Sequence, residues 1–207
     1  MSGLARSVRG MGAFLSQMRI LCLAAFLLGA TGYGYGYEPF LDLGKLSSAP
    51  IVADFLPKYN RMMVDRNPAG ASSEALALVA KHPGNRDAQI AGAYCLAFAT
   101  LTDCEKAPLA ERKRAAISAT DGLKRCLALI EKSPSAEREE KYGRMQQKLI
   151  PLQLMDAACL AGSHTLVVRM AQEFFAKDPE SHWCNPVAAI LWESFRQIHD
   201  DDGLTSC

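Results

Sequence analysis

Apolar residues recur at helical spacing along most of the chain. From Pro50 onward no segment alternates apolar and polar residues over the length of a strand. Ile90, Tyr94, Ala97 and Leu101, for example, fall on one face of a helix. The pattern predicts seven helices, near residues 51–66, 72–82, 86–102, 110–132, 137–162, 164–178 and 186–199. The chain is therefore predicted to be all-α.

Proline and serine residues set the predicted helix boundaries. Ser72 and Ser73 are predicted to cap the second helix, because their hydroxyl groups can accept hydrogen bonds from free backbone N–H groups. Proline cannot donate a backbone hydrogen bond and therefore ends three helices, at positions 83, 134 and 179. Pro57 and Pro151 lie inside predicted helices, and each predicts a kink or a break there.

Three predicted helix ends, at residues 78–83, 129–134 and 174–179, resemble one another. Each has two large apolar residues, any residue, Lys, a polar residue and Pro. A small residue lies eight positions before each proline, at Ala75, Cys126 and Ala171. The lysine suits the negative end of a helix, and the proline turns the chain towards the next one.

This combination resembles the tetratricopeptide type of helical-repeat protein over residues 72–199. The resemblance implies stacked antiparallel helical hairpins, and the alternative is an irregular helical bundle. The chain departs from the family in spacing, since its three prolines are unevenly separated while the family repeats every 34 residues or so. It also lacks the Trp-Leu-Gly-Tyr signature, with Ala91-Gly92 near the expected place and Tyr94 one position away. No binding residues of the family can therefore be carried over.

The start of the chain has the features of a secretory signal. An apolar run from Ile20 to Ala30 follows Arg19, and it is shorter than the roughly 20 residues that a membrane span needs. Ala30 and Gly32 provide the small residues that signal peptidase requires. We therefore predict a signal peptide over 1–32, a linker or packed arm over 33–50, and a helical domain over 51–207, exported to a periplasmic or extracellular space. Retention of the leader as an anchor is the alternative.

Charge and composition exclude some partners. The 207 residues are 22% charged and 49% hydrophobic, values typical of a folded globular protein, and the net charge is +1. Nucleic-acid binding depends on clustered positive charge, so no nucleic-acid partner is predicted. A protein partner is predicted instead, with no stable membrane insertion once the signal is cleaved.

Cysteine number and spacing predict cross-links in an exported protein. Six cysteines remain after the leader, and an even number favours disulfides. Antiparallel packing would bring Cys104 and Cys159 to the same end of neighbouring helices, so we predict that they are bonded. Cys126 and Cys184, near the opposite end, are the other disulfide candidates. Cys95 lies in the middle of an apolar helix and is predicted to be a packed free thiol.

No catalytic or cofactor motif is present. The sequence has no Cys-x-x-Cys, no His-Glu-x-x-His, no nucleophile elbow and no phosphate-binding loop. We therefore predict a non-catalytic protein-binding or scaffold module without a cofactor. Cys159 with His164, and His182 with Cys184, supply metal-ligand types, so a metal-binding protein or metal-dependent enzyme is one alternative. A membrane-tethered assembly factor, with the leader retained, is the other.

Overall fold

A computed structural model describes residues 41–177 and 184–201, and within these ranges all regular structure is helical. In the last helix, side chains are described at positions 186–194 and 196. The elements are a 3-10 helix at Gly44–Ser48, then α1 (Pro50–Val64), α2 (Pro68–Lys81), α3 (Arg86–Asp103), α4 (Leu109–Glu131), α5 (Ser135–Arg144), α6 (Ile150–Leu160), α7 (His164–Lys177) and α8 (Cys184–Asp201). The predicted all-α class is confirmed.

The second helix begins earlier than predicted. Its N-cap is Asn67, whose side-chain oxygen accepts a hydrogen bond from the N–H of Gly70 at 2.9 Å, and Pro68 occupies the first turn. Ser73 donates its hydroxyl hydrogen to the carbonyl oxygen of Ala69, one turn back, so the predicted serine cap is wrong. An Asn-Pro pair is the stronger start signal, because proline fits the first turn and asparagine caps it.

The predicted break at Pro151 takes the form of a π turn. Residues Met145–Leu149 form this turn between α5 and α6, and the N–H of Ile150 bonds to the carbonyl oxygen of Met145, five residues back. The wider turn precedes the residue that has no N–H, and the helix continues without interruption. If α5 and α6 are counted as one helix, the described residues form seven α-helices, the number that the sequence predicts. Helix α1 also runs through Pro57 without a break.

With α5 and α6 counted as one continuous helix, the helices pack in chain order, each against the next. A second set of contacts joins α1 to α3, α3 to α6, and α6 to α8. Consequently α2 lies against α1 and α3, α4 lies against α3 and α6, and α7 lies against α6 and α8. The most extensive interface is that of α2 with α3. These two helices approach closely at Gly92, where an added Cβ would lie 2.5 Å from Cγ2 of Val79.

Helix α3 is the centre of the hydrophobic core. More than half of its residues are buried, and they contact α1, α2, α4 and α6. The Tyr59 hydroxyl of α1 donates a hydrogen bond to the carbonyl oxygen of Cys95 at 2.8 Å, which satisfies its polar atom inside the core. The side chain of Asn85 caps α3 by accepting from the N–H of Ala88.

The chain before α1 forms a packed arm over residues 41–49. Leu43 and Leu46 are fully buried in the core. The arm is also held by ion pairs to α5: Lys45 Nζ lies 2.9 Å from Glu140, and Arg144 Nη1 lies 2.6 Å from Asp42. The core therefore begins within the predicted linker. The predicted signal peptide at 1–32 lies outside the described residues, and no helix within them is long and apolar enough to cross a membrane.

Candidate protein-binding groove

A groove runs over the outer side of α3, between α2 and α4. Its volume is about 190 Å³. It is lined by Leu76 and Val79 of α2, by Gln89, Ala93, Leu96, Ala97 and Thr100 of α3, and by Ser118, Ala119, Gly122, Arg125 and Leu129 of α4. This volume is below the range of about 300–1,000 Å³ that is typical of pockets for small molecules and cofactors. The groove is therefore smaller than a typical cofactor pocket, with space for only a few side chains.

Small residues form much of the groove surface. Ala93 and Ala97 of α3 are four residues apart, and Ala119 and Gly122 of α4 are three apart, so each pair lies on one helix face. At Gly122 an added Cβ would lie 3.6 Å from the carbonyl oxygen of Ala93, an ordinary van der Waals distance. Short side chains at these positions leave open the space that forms the groove.

Two polar residues of the groove are satisfied within the fold. Gln89 donates from Nε2 to the carbonyl oxygens of Val79 and His82, at 2.9 and 3.0 Å. Thr100 donates its hydroxyl hydrogen to the carbonyl oxygen of Leu96 at 2.7 Å. Arg125 is different: it is exposed, and no ion pair or hydrogen bond links its guanidinium to another described residue. Among the described residues that line the groove, it is the only charged one.

The rim of the groove exposes a large aliphatic side chain. Leu76 is 53% exposed and lines the groove from α2. Ile117 of α4 is 63% exposed but is not part of the lining. The two residues differ chiefly in their position relative to the groove, which makes them a matched pair for experiments.

A second, wider hollow lies between the arm and α5. It is open and polar, and Lys45, Glu137, Glu140 and Lys141 line it. These side chains are already paired with one another or with α3. Lys45 bonds to Glu140, while Lys141 Nζ lies 2.6 Å from Asp87 and 3.8 Å from Glu137. The hollow is thus a surface of internal ion pairs.

The four described cysteines all have free thiols. Cys159 is buried and donates from Sγ towards the carbonyl oxygen of Ile190 in α8, at 3.9 Å. Cys104 lies at the C-terminal cap of α3. The structure therefore gives no support to the predicted bond between them, because the Cys159 thiol is directed at α8. Cys126 donates to the carbonyl oxygen of Ile90 at 3.5 Å, inside the α3–α4 interface. The side chain of Cys184 lies outside the described residues.

The buried thiols of this fold are poor nucleophiles. Burial raises the pKa of Cys126 and of Cys159 to about 12. It also raises the pKa of Cys95 well above its usual value. All three thiols therefore remain protonated near neutral pH, and the thiolate that acts as a nucleophile is not formed. The free thiol of Cys95 has the packed position that the sequence predicts.

His164 makes a hydrogen bond that resembles part of a catalytic pair. Its Nδ1 lies 2.7 Å from the hydroxyl oxygen of Ser194, and the bond joins the first turn of α7 to α8. Ser194 is fully buried, so a substrate cannot reach its oxygen. No group of three or more His, Cys, Asp or Glu side chains that could hold a metal occurs among the described residues. The hydrogen bond of His164 thus links α7 to α8. His182 lies outside the described residues.

One buried carboxyl group lies inside the helix stack. Asp156 of α6 is only 9% exposed. Burial, reinforced by the nearby negative charge of Glu105, raises its pKa from 3.8 to about 7. Between these values the folded protein holds a proton that the unfolded chain has released. Stability is therefore predicted to fall as the pH rises from about 4 to about 7, and to level off above that.

The sequence predicts the apolar helix faces, but it does not predict the groove or the burial of Asp156. Ala93 and Ala97 have the spacing of core residues, and nothing local indicates that they border a groove. Asp156 did leave a signal, because together with Gln153 it interrupts the apolar sequence of the predicted helix over 137–162. Polar residues on the apolar face of a helix are frequently buried and hydrogen-bonded.

No family model, curated protein or solved structure matches this chain significantly.

Proposed function

We propose that this protein is a non-catalytic helical-repeat protein that is exported and binds a partner protein through the α2–α4 groove. One observation carries the proposal: an apolar groove of small residues borders a half-exposed leucine and an unpaired arginine. Such a groove is typical of surfaces that receive side chains from a helix or loop of another protein. Export is supported by the arginine, apolar run and small residues at the start of the chain.

The repeat interpretation is supported by which helices carry the similar ends. These are α2, α4 and α7, each of which lies between two neighbours in the same way. The small residues Ala75, Cys126 and Ala171 are all fully buried at these helix crossings. We therefore interpret the stack as three unequal hairpins, α1 with α2, α3 with α4, and α5–α6 with α7, followed by α8. This order is like that of tetratricopeptide proteins, with longer and less regular units.

The alternative of a metal-dependent enzyme has less support. The buried Cys159 thiol donates towards the carbonyl oxygen of Ile190, and His164 is bonded to the buried Ser194. Metal analysis of the purified protein tests this alternative directly, because a stoichiometric transition metal would favour it.

Capture of the partner from the native compartment tests the proposal. The full chain serves as bait in three forms: wild type, Leu76→Arg and Ile117→Arg. Both substitutions replace an exposed aliphatic residue with a cation, so both variants should fold. We expect a stoichiometric partner with the wild type and with Ile117→Arg, and its loss with Leu76→Arg. A partner captured equally by all three forms would contradict the use of this groove.

A further inference from the structure

We propose that the occupant of the α2–α4 groove is a single amphipathic helix of the partner, with an acidic side chain placed against Arg125. This inference rests on the proposed function and specifies the chemistry of the partner. It follows from the shape of the groove, from the internal hydrogen bonds of Gln89 and Thr100, and from the charge of Arg125.

The shape favours a helix. The groove is a strip between two helices with a third as its floor, so an added helix would contact α2 and α4 as α2 itself contacts α1 and α3. Ridges of side chains on one helix pack between rows of side chains on another. Ala97 of α3 and Gly122 of α4 have little or no side chain to fill the groove. The volume of about 190 Å³ accommodates a row of side chains. A whole helix would lie across the groove and insert only its apolar face.

The backbone of an extended strand would fit less well. A strand adds to an exposed sheet edge through its main-chain hydrogen bonds. The groove walls are helices, whose backbone groups are bonded internally, and Gln89 and Thr100 already direct their hydrogens to carbonyl oxygens of the fold. A helix satisfies its own backbone and needs no such partners.

The charge of Arg125 determines which charged side chain the incoming helix should carry. The guanidinium has no partner among the described residues, and water solvates it while the groove is empty. An apolar helix that covered it would remove this water and leave a cation unpaired, which is costly. A carboxylate beside the apolar face of the incoming helix would replace the water with a charge-assisted hydrogen bond. Binding should therefore select helices with Asp or Glu at this point and reject those with Lys or Arg.

A charge-reversal experiment tests this inference. A displayed library of amphipathic helices, with a fixed leucine stripe and randomised flanking positions, is selected on the full chain and on Arg125→Glu. We expect wild type to enrich Asp or Glu at one flanking position, and Arg125→Glu to enrich Lys or Arg there. The selected helix and its Glu→Lys version are then compared by fluorescence anisotropy. Wild type should bind the Glu→Lys version about tenfold more weakly, and Arg125→Glu should show the opposite order.

Two controls make the result decisive. Lys58→Glu carries the same charge change on α1, outside the groove lining, and should keep the wild-type preference. Thermal melts check that Arg125→Glu is folded, as expected for an exposed residue without a partner. The inference is wrong if no helix is selected, if no acid is enriched, or if the preference survives in Arg125→Glu. If Leu76→Arg loses the captured partner but no charge is preferred beside Arg125, the acidic helix is refuted while the use of the groove stands. Retention of that partner would refute the proposed function.

Discussion

The close approach of α2 and α3 at Gly92 makes a sharp prediction about two glycines. In Gly92→Ala the new methyl group would lie 2.5 Å from Cγ2 of Val79 and 3.1 Å from the carbonyl oxygen of Ala75. Carbon atoms pack best at about 3.5–4.0 Å, so the helices must separate or Val79 must move. The side chain of Val79 is stiff at χ1, and the carbonyl oxygen of Ala75 is part of the α2 backbone, so neither can move away without cost.

The expected magnitude comes from two opposing effects. Replacing glycine by alanine inside a helix stabilises it by about 0.8–1.0 kcal/mol. Overpacking a tight core costs about 1–3 kcal/mol, and the contact at Gly92 is at the severe end. Gly92→Ala should therefore be destabilised by about 1–2 kcal/mol. Gly122→Ala meets only ordinary contacts and should be stabilised by about 0.5–1 kcal/mol.

Urea unfolding followed by circular dichroism measures both changes. The two variants make the same chemical replacement in neighbouring helices, so each is the control of the other. The cost of Gly92→Ala should also shrink when it is introduced into a Val79→Ala background, because part of the overlap has then been removed. If Gly92→Ala is as stable as Gly122→Ala, the helices do not approach as closely as described, and the position of α2 beside the groove would need revision.

Three further predictions concern the buried acid, the thiols and the leader. Asp156→Asn should remove most of the decline in stability between pH 4 and 7, which amounts to at most roughly 4 kcal/mol. Asp121→Asn, on the surface, should leave this decline unchanged. Urea titrations at several pH values measure both. Peptide mapping without reduction should find Cys95 as a free thiol, and alkylation of Cys104 in the unfolded, unreduced protein would exclude its predicted bond to Cys159. N-terminal sequencing should place the mature start between residues 31 and 35, and an intact leader in the membrane fraction would contradict the predicted cleavage.

The helices could be predicted from the sequence because their signals are local. Apolar periodicity predicts helices near the observed ones, and Pro83 and Pro134 follow the ends of α2 and α4, while Pro179 lies outside the described residues. The start of α2 was misplaced because two serines competed with Asn67 as the cap. The π turn before Pro151 could not be predicted, since proline is equally compatible with a kink, a break or a wider turn.

The groove could not be predicted because it depends on distances between helices. Ala97 and Gly122 look like any small residues at helix crossings, and only the separation of α2 from α4 leaves space beside them. Arg125 likewise appears in the sequence as one charge among many on α4. Asp121 lies one turn before it on α4, and only the folded structure shows that the two do not form an ion pair. Local patterns thus predicted the elements, while the candidate site arises from their packing.

The central claim is that the α2–α4 groove binds a partner protein, and photo-crosslinking tests it most directly. A photoreactive amino acid is placed at position 76 or at position 117 of the full chain in the producing cell. Residue 76 lines the groove, whereas residue 117 is at least as exposed but lies outside the lining. We predict one discrete adduct from position 76 and none from position 117. An absence of adducts at 76, or the same adducts at both positions, would contradict the claim.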